Sequence, residues 1–287
     1  MSKLQIITDS CCDLTGEMIE KLNLKVVSLN MLFRGETVAD SVSGDIKAFY
    51  DAMRQGESAT TSAVNPEGWA NAMEPVLAAG EDVLVIAFSS GLSTTYQSAM
   101  IAADELREKY PERKIVVIDS LCASLGQGLL CWHAAKKRDE GLNLEELAAW
   151  IEDHKLNLCH WFTVDDLVYL KRGGRVSAAT ALVGTLLSIK PVLHVDNDGH
   201  LVSVSKTRGR KASIQAMADQ MEKLALPGEN DFVTICHADC YDDASALAEM
   251  VKTRLGVKEV FIGYTGAVIG SHSGPGTLAL FFLGSQR

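Results

Sequence analysis

Residues 83–88, VLVIAF, form an unbroken apolar run rich in β-branched residues, and the small polar residues SSG follow directly at 89–91. A short apolar run that ends in turn residues is typical of a buried strand. Runs of the same kind recur at 5–8, 114–118, 232–236 and 260–262. We therefore expect strands at intervals along the whole chain.

Longer segments with helical periodicity lie between these runs. Leu144, Leu147 and Ile151 fall on one helix face, Asn143 is placed to cap that helix, and Glu146 completes a capping box. Strands that alternate with helices predict an α/β fold, with mainly parallel sheets covered by helices on both faces. Two more helical stripes are Ile214, Met217, Met221 and Leu224, and Leu247, Val251 and Leu255.

A chain of 287 residues is long enough for one large domain or for two ordinary ones. We expect two domains of α/β/α architecture. A strand-like stretch, NLCHWF, follows the helix predicted at 143–155. We place the boundary at this point, which gives an N-terminal α/β domain at 1–156 and a C-terminal α/β domain at 157–287.

Composition excludes several classes of protein. Hydrophobic residues make up 47% of the chain, which predicts a compact fold rather than disorder. The formal net charge of −10 argues against nucleic-acid binding, which needs a basic surface. No apolar run approaches the roughly 20 residues of a membrane-spanning helix, and the N-terminus lacks a signal-peptide core. Seven irregularly spaced cysteines predict reduced thiols and a cytoplasmic location.

Small polar residues follow several of the predicted strands, where ligands bind in open parallel sheets. The segment FSSGLSTTYQSA at 88–99 predicts a strand end, a glycine turn and a helix that begins near Ser93. TTSAVNP at 60–66 predicts a second hydroxyl-rich helix entry, with Pro66 in the first turn. Such entries suit a carboxylate or a phosphate. For either helix entry taken alone, helix capping is at least as good an explanation as anion binding. Two such entries in the N-terminal half of the chain favour a shared anion site.

Three other segments are candidate sites. His272, in the turn SHSGPG, can donate a hydrogen bond to an anion or act as a base, although a lone histidine in a turn is usually a surface residue. The basic islands at 171–175 and 206–211 suit phosphate contacts or a docking face, with solvated charge as the usual explanation.

The sequence predicts no nucleotide, metal or other cofactor. Neither basic island is a Walker A loop, and no G-x-G-x-x-G motif follows a strand. Cys236, His237 and Cys240 form the densest thiol and imidazole cluster, but Cys236 is expected to end a buried strand.

Together these motifs resemble the DegV family, whose studied members include the fatty-acid-binding subunits of bacterial fatty-acid kinases. The resemblance covers essentially the whole chain, and it is specific because of the order and spacing of its motifs. They are IITDSCCDL (6–14), TTSAVNP (60–66), SSGLSTTYQSA (89–99), VIDSLCASLGQG (117–128), VDDLVYLKRGGRVS (164–177), LLSIKPVL (186–193), TRGRKA (207–212) and GSHSGPGTLALFF (270–282).

The resemblance implies two α/β domains with a long-chain fatty acid in a tunnel between or beneath them. In this sequence the hydroxyls of Thr61 and Ser93 match the residues that meet the carboxylate. Ser62 lies nearby in sequence, and His272 comes from the C-terminal half.

The resemblance also implies a partner. A separate fatty-acid kinase subunit would phosphorylate the carboxylate with ATP and give an acyl phosphate for phospholipid synthesis. The chain itself would then have no catalytic residue and no cofactor, and would contact a membrane only transiently, if at all. The basic islands around Arg172 and Arg208 are candidates for the docking face.

One departure from the family pattern concerns the head-group site. Where the family usually has glycine after the serine of the motif at 89–99, the chain has Thr94 next to Ser93.

Two other functions stay open. The first alternative is a serine hydrolase or transferase that acts on acyl groups, with Ser93 as nucleophile and His272 as base. The G-x-S-x-G elbow of such enzymes is absent here. The second is a regulatory or nucleic-acid-binding module that uses the basic islands, and the acidic net charge opposes this alternative.

Overall fold

The computed structural model describes residues 3–40, 45–176 and 189–287. The motif at 164–177 ends, and the motif at 186–193 begins, outside these residues. The strands are β1 (Leu4–Asp9), β2 (Leu24–Val27), β3 (Asn30–Phe33), β4 (Glu36–Ala39), β5 (Thr60–Ser62), β6 (Asp82–Ala87), β7 (Ile115–Asp119), β8 (Leu158–Thr163), β9 (Ile189–Val195), β10 (Leu201–Arg208), β11 (Phe232–His237), β12 (Glu259–Tyr264) and β13 (Leu278–Leu283). The α-helices are α1 (Gly16–Lys21), α2 (Ile46–Arg54), α3 (Pro66–Ala78), α4 (Thr95–Lys109), α5 (Leu125–Asp139), α6 (Leu144–His154), α7 (Val168–Arg172), α8 (Arg210–Leu224), α9 (Tyr241–Leu255) and α10 (Ala267–Ser273).

The first sheet has four parallel strands in the order β2-β1-β6-β7, as the sequence predicts. Strand β6 is buried on both faces. Val83 and Val85 belong to the apolar cluster that contains α3 and α4, whereas Leu84 and Ile86 belong to the cluster that contains α5 and α6. The α/β prediction is therefore confirmed, with helices on each face of this sheet.

The second sheet has six strands in the order β10-β9-β8-β13-β11-β12, and only β11 and β12 are parallel neighbours. The prediction of mainly parallel sheets therefore holds for the first sheet and not for this one. One reason is local. Strands β9 and β10 form a hairpin, because the Asp196 carboxylate accepts the backbone N–H groups of Asp198 and His200 and closes a tight turn. The apolar C-terminal run forms the central strand β13.

Helix α5 lies between the two sheets, and two glycines permit its close approach. A Cβ atom at Gly126 would lie 2.2 Å from Nε2 of His160 on the second sheet. A Cβ atom at Gly128 would lie 2.6 Å from the carbonyl oxygen of Cys12, directly after the first sheet's strand β1. The GQG motif therefore allows one helix to pack against both halves of the molecule.

Two of the predicted helix starts are confirmed by the structure. Asn143 and Glu146 form the capping box at the start of α6, and Pro66 is the first residue of α3, behind the Asn65 cap. A third, antiparallel sheet, in the order β4-β3-β5, places Thr61 next to Met31. Among the described residues, no helix combines the length and apolar character needed to cross a bilayer.

Candidate functional site

A cavity of about 430 Å³ lies where the two main sheets, the third sheet and α10 meet. It is within the size range of pockets that bind small molecules. Residues from both halves of the chain form its apolar wall, among them Leu29, Phe88, Phe162, Leu170, Val268 and Phe281. The cavity therefore has the apolar lining that an elongated apolar molecule needs.

Three of the residues predicted for an anion site, Thr61, Ser93 and His272, line this cavity. Thr61 Oγ1 lies 2.7 Å from Nε2 of His272, at hydrogen-bond distance, although the two residues are 211 positions apart in sequence. They meet because β5 and the C-terminal part of α10 border the cavity together. The fourth predicted residue, Ser62, is exposed and does not line the cavity, because alternate residues of a strand point to opposite faces.

The loop that contains Ser93 differs from its prediction in one respect. Helix α4 begins at Thr95 rather than near Ser93. The Ser93 N–H donates to the carbonyl oxygen of Ser89, so it is not available to an anion. The Ser93 hydroxyl accepts the Thr95 N–H at 3.2 Å and lies 2.8 Å from Thr95 Oγ1. The residue therefore contributes its side chain, and not a free helix-terminal amide, to the cavity.

The turn before Ser93 is packed against the tip of the β9–β10 hairpin. A Cβ atom at Gly91 would lie 2.8 Å from the carbonyl oxygens of Asp198 and Gly199. Ser89 Oγ donates to the Gly199 carbonyl oxygen at 2.9 Å. These contacts fix the Ser93 loop to the second sheet. Thr94, the departure from the family pattern, is exposed at the cavity rim.

Arg175 is a cavity residue that the sequence analysis placed only within a basic surface island. Its side chain is partly buried, lines the cavity, and donates its Nε–H to the carbonyl oxygen of Leu92 at 3.1 Å. A guanidinium with five N–H donors can hold a loop and still contact an anion. The neighbouring Arg172 is exposed and lies over the Tyr169 ring, and Arg208 is exposed on β10. The sequence alone does not distinguish the cavity arginine from these two.

Asp9 of the segment Thr8-Asp9-Ser10 has a structural role. In the described part of the chain, none of these three residues lines the cavity. The Asp9 carboxylate is fully buried and accepts the N–H groups of Cys11 and Phe88 and an amide N–H of Gln127. It therefore ties the end of β1 to the start of the Ser93 loop. Burial raises the pKa of Asp9 to about 7, whereas its three donors oppose that shift.

His272 is held neutral in the structure. Burial, and to a smaller extent the charge of Arg175, lowers the pKa of its imidazole from 6.5 to about 4. Since the folded pKa is below that of an unfolded histidine, folding favours the neutral ring. The stability gained in this way is present above pH 6.5 and is lost as the pH falls towards 4. A neutral Nε2 can donate to or accept from Thr61, according to its tautomer.

The His272 pKa can be measured by NMR on the ligand-free protein. We expect the imidazole C2 proton shift to stay constant from about pH 8 to about pH 5 and to change with a midpoint near 4. The spectrum of His272→Gln assigns the resonance. A midpoint near the ordinary value of 6.5 would show that the ring is solvated, which contradicts its place in the cavity wall.

Comparison with known proteins gives a consistent result. The family model for DegV, described as an uncharacterised protein family, matches residues 3–285. A DegV domain-containing protein from Clostridium perfringens is 42% identical to the chain, over 100% of this chain and 99% of the relative.

Two solved structures have the same fold. A DegV family protein from Thermus thermophilus, described for its fatty-acid binding, matches with a TM-score of 0.87 and 31% identity, over 97% of this chain and 98% of that one. DegV of Bacillus subtilis, described as a fatty acid binding protein, matches with a TM-score of 0.85 and 30% identity, over 98% and 99%. The chain described here belongs to the DegV family.

Proposed function

We propose that this protein binds one long-chain fatty acid in the cavity and presents the carboxylate to a partner ATP-dependent kinase in the cytoplasm, which converts it to an acyl phosphate. The observation that supports binding most strongly is an apolar cavity bordered by Thr61, Ser93 and His272. Fatty-acid binding by the Thermus and Bacillus relatives supports the same ligand class.

The hydrocarbon tail supplies the affinity. Each buried methylene contributes about 0.8 kcal/mol, so a dozen contribute about 10 kcal/mol. Association and ordering oppose binding by several kcal/mol, which leaves micromolar or tighter affinity. The wall residues Phe88, Phe162, Leu170 and Phe281 present the apolar surface that this burial requires.

The head group needs hydrogen-bond donors, because an uncompensated buried carboxylate would cancel the gain from the tail. If the Thr95 hydroxyl donates to Ser93 Oγ, which also accepts the Thr95 N–H, the Ser93 proton is free to point at a ligand. If Nε2–H of neutral His272 donates to Thr61 Oγ1, the Thr61 hydroxyl proton is free in the same way. The Arg175 guanidinium adds a positive charge to the cavity wall. These groups stabilise an anion and leave its oxygens open to a phosphoryl donor.

The phosphoryl donor is assigned to a partner because the sequence has neither a Walker A loop nor a G-x-G-x-x-G motif after a strand. Arg172 and Arg208 are exposed and are candidates for the docking face.

The geometry does not favour the alternative of an acyl-directed serine hydrolase or transferase. A serine nucleophile needs a hydrogen bond to its base. Here the hydrogen-bond partner of His272 is Thr61, and Ser93 Oγ contacts Thr95. We propose that both hydroxyls bind the carboxylate and that neither attacks an ester.

A chain-length series tests whether the tail is buried. We expect the affinity for saturated fatty acids to rise about fourfold with each methylene, since each contributes about 0.8 kcal/mol, until the cavity is full. Isothermal titration with acids of 10 to about 20 carbons measures how steeply the affinity rises with chain length and at which length the rise stops. The rise should stop at the length that fills the cavity, since cavities of this class enclose most of a ligand's surface. An affinity that does not depend on chain length would contradict the proposal, because it would mean that only the carboxylate is bound.

A further inference from the structure

A second group of polar side chains, separate from Thr61, Ser93 and His272, lines the same cavity. We call Ser124, Cys236 and Thr265 the inner polar patch. Ser124 Oγ lies 3.2 Å from Cys236 Sγ and donates to the carboxylate of Asp13 behind it. Thr265 is next to the Cys236 thiol. A cavity built only for a hydrocarbon tail needs no such group, because apolar residues would fill these positions at no cost in desolvation.

The patch contains hydrogen-bonding capacity that the protein itself does not use. Thr265 is fully buried, and its Oγ1 has no hydrogen-bond partner in the described part of the chain beyond its approach to the weakly accepting Cys236 thiol. Ser273, 6% exposed and also in the cavity wall, likewise has an Oγ without a partner among the described residues. Buried hydroxyls are nearly always hydrogen-bonded in folded proteins, so each of these two would gain a partner from a ligand group that reaches it.

The carboxyl group behind the patch indicates what kind of group would bind. Asp13 is buried, one of its oxygens lacks a partner among the described residues, and burial raises the pKa of its carboxyl well above the ordinary value, which favours the uncharged form. A fatty-acid carboxylate at the patch would lose its hydration beside a group that supplies no positive charge. An uncharged donor and acceptor, such as an alcohol, meets no such penalty and suits the patch.

The backbone at Ser124 supports the same interpretation. Its φ of 55° and ψ of −146° are rare for a residue with a side chain. Strain of this kind persists where the surrounding structure imposes it, which is often at a binding site. Here the strained residue directs its hydroxyl to the point between Asp13 and Cys236.

We propose that the cavity is specific for a fatty acid that has a hydroxyl group on its acyl chain, and that the inner polar patch hydrogen-bonds this hydroxyl. The inference rests on the proposed function, since the carboxylate is still assigned to Thr61 and Ser93. The patch would make the protein a receptor for hydroxylated rather than plain saturated acyl chains. A site that hydrogen-bonds a substrate hydroxyl discriminates strongly against an analogue without it, because its own polar groups are then left unpaired.

The test compares stearic acid with hydroxystearic acids of different hydroxyl position, such as the 2-, 10- and 12-isomers, by competition titration on the full chain. We expect one of the isomers inside the acyl chain to bind at least about 10-fold more tightly than stearic acid. Thr265→Val replaces the unpaired hydroxyl with a methyl group of the same shape, and we expect it to reduce this preference to about twofold or less.

Thr163→Val is the matched control. Thr163 is also fully buried with an unpartnered Oγ1 in the described structure, but it does not line the cavity. We expect this variant to keep the preference for the hydroxylated acid. If the protein binds stearic acid and every isomer equally, water occupies the patch and only this inference is overturned. If it binds no fatty acid at all, the proposed function fails as well. If the preference for the hydroxylated acid survives Thr265→Val but is lost in Thr163→Val, the assignment of the ligand hydroxyl to the inner polar patch is contradicted.

Discussion

The double variant Thr61→Val with Ser93→Ala is expected to bind long-chain fatty acids about 100-fold more weakly than the wild-type protein. Each substitution removes one hydroxyl that we propose binds the carboxylate, and hydrogen bonds to charged groups contribute about 1.5 kcal/mol or more each. The loss of two is therefore about 3 kcal/mol, or roughly 100-fold in affinity. Both residues line the cavity, and valine keeps the shape of threonine. Titration calorimetry measures the change directly.

Thr60→Val is the matched control for this experiment. Thr60 is the residue before Thr61 on β5, is exposed, and does not line the cavity, so the same chemical change there should leave affinity within about twofold. Acyl phosphate formation with the proposed partner kinase is a second measurement, and at low ligand concentration it should fall in the double variant in parallel with binding. Unchanged affinity in the double variant would show that the carboxylate lies elsewhere.

Ala279→Phe is expected to abolish most binding by filling the cavity. Ala279 is on the central strand β13, 6% exposed, and its side chain is part of the cavity wall beside Phe281. A ring at this position occupies space that the acyl chain needs. If it displaces about four methylenes, the loss is about 3 kcal/mol, or more than about 100-fold in affinity. The cost to stability should be modest, about 1–3 kcal/mol, because the ring enters a cavity.

The control makes the same change outside the cavity. Ala78, the last residue of α3, is exposed and not part of the cavity wall. Ala78→Phe should therefore leave fatty-acid affinity unaffected. Thermal unfolding of Ala279→Phe shows whether the variant is folded. A folded Ala279→Phe protein that binds fatty acid as tightly as the wild type would refute the placement of the tail in this cavity.

Local signals allowed the first sheet and several helices to be predicted from the sequence. The apolar run at 83–88 predicts a buried strand because no polar face interrupts it, and the capping box at Asn143 and Glu146 depends on residues three positions apart. The orientation of strands in the second sheet was not predictable in this way. The runs at 232–236 and 278–283 look alike as strands, yet they are antiparallel neighbours, since long-range packing sets their direction.

The candidate site could not be predicted from local sequence signals either. Resemblance to a family, rather than local pattern, brought Thr61, Ser93 and His272 together, because 211 positions separate the first from the last. Arg175 and Arg172 lie in the same basic island of the sequence, and only the structure shows that Arg175 lines the cavity and that Arg172 is exposed. The inner polar patch was not foreseen. Ser124, Cys236 and Thr265 come from distant parts of the chain, and only the structure shows that they border one cavity.

Mass spectrometry of an organic extract of the purified, denatured protein tests the account most directly. A tail enclosed by apolar residues would have to enter water in order to leave, so a bound acid should survive purification. We predict about one long-chain fatty acid per chain, and a much reduced amount from Ala279→Phe prepared in parallel. An extract with no fatty acid, from a wild-type protein that also takes up none when it is supplied, would contradict the central claim that this cavity encloses an acyl chain.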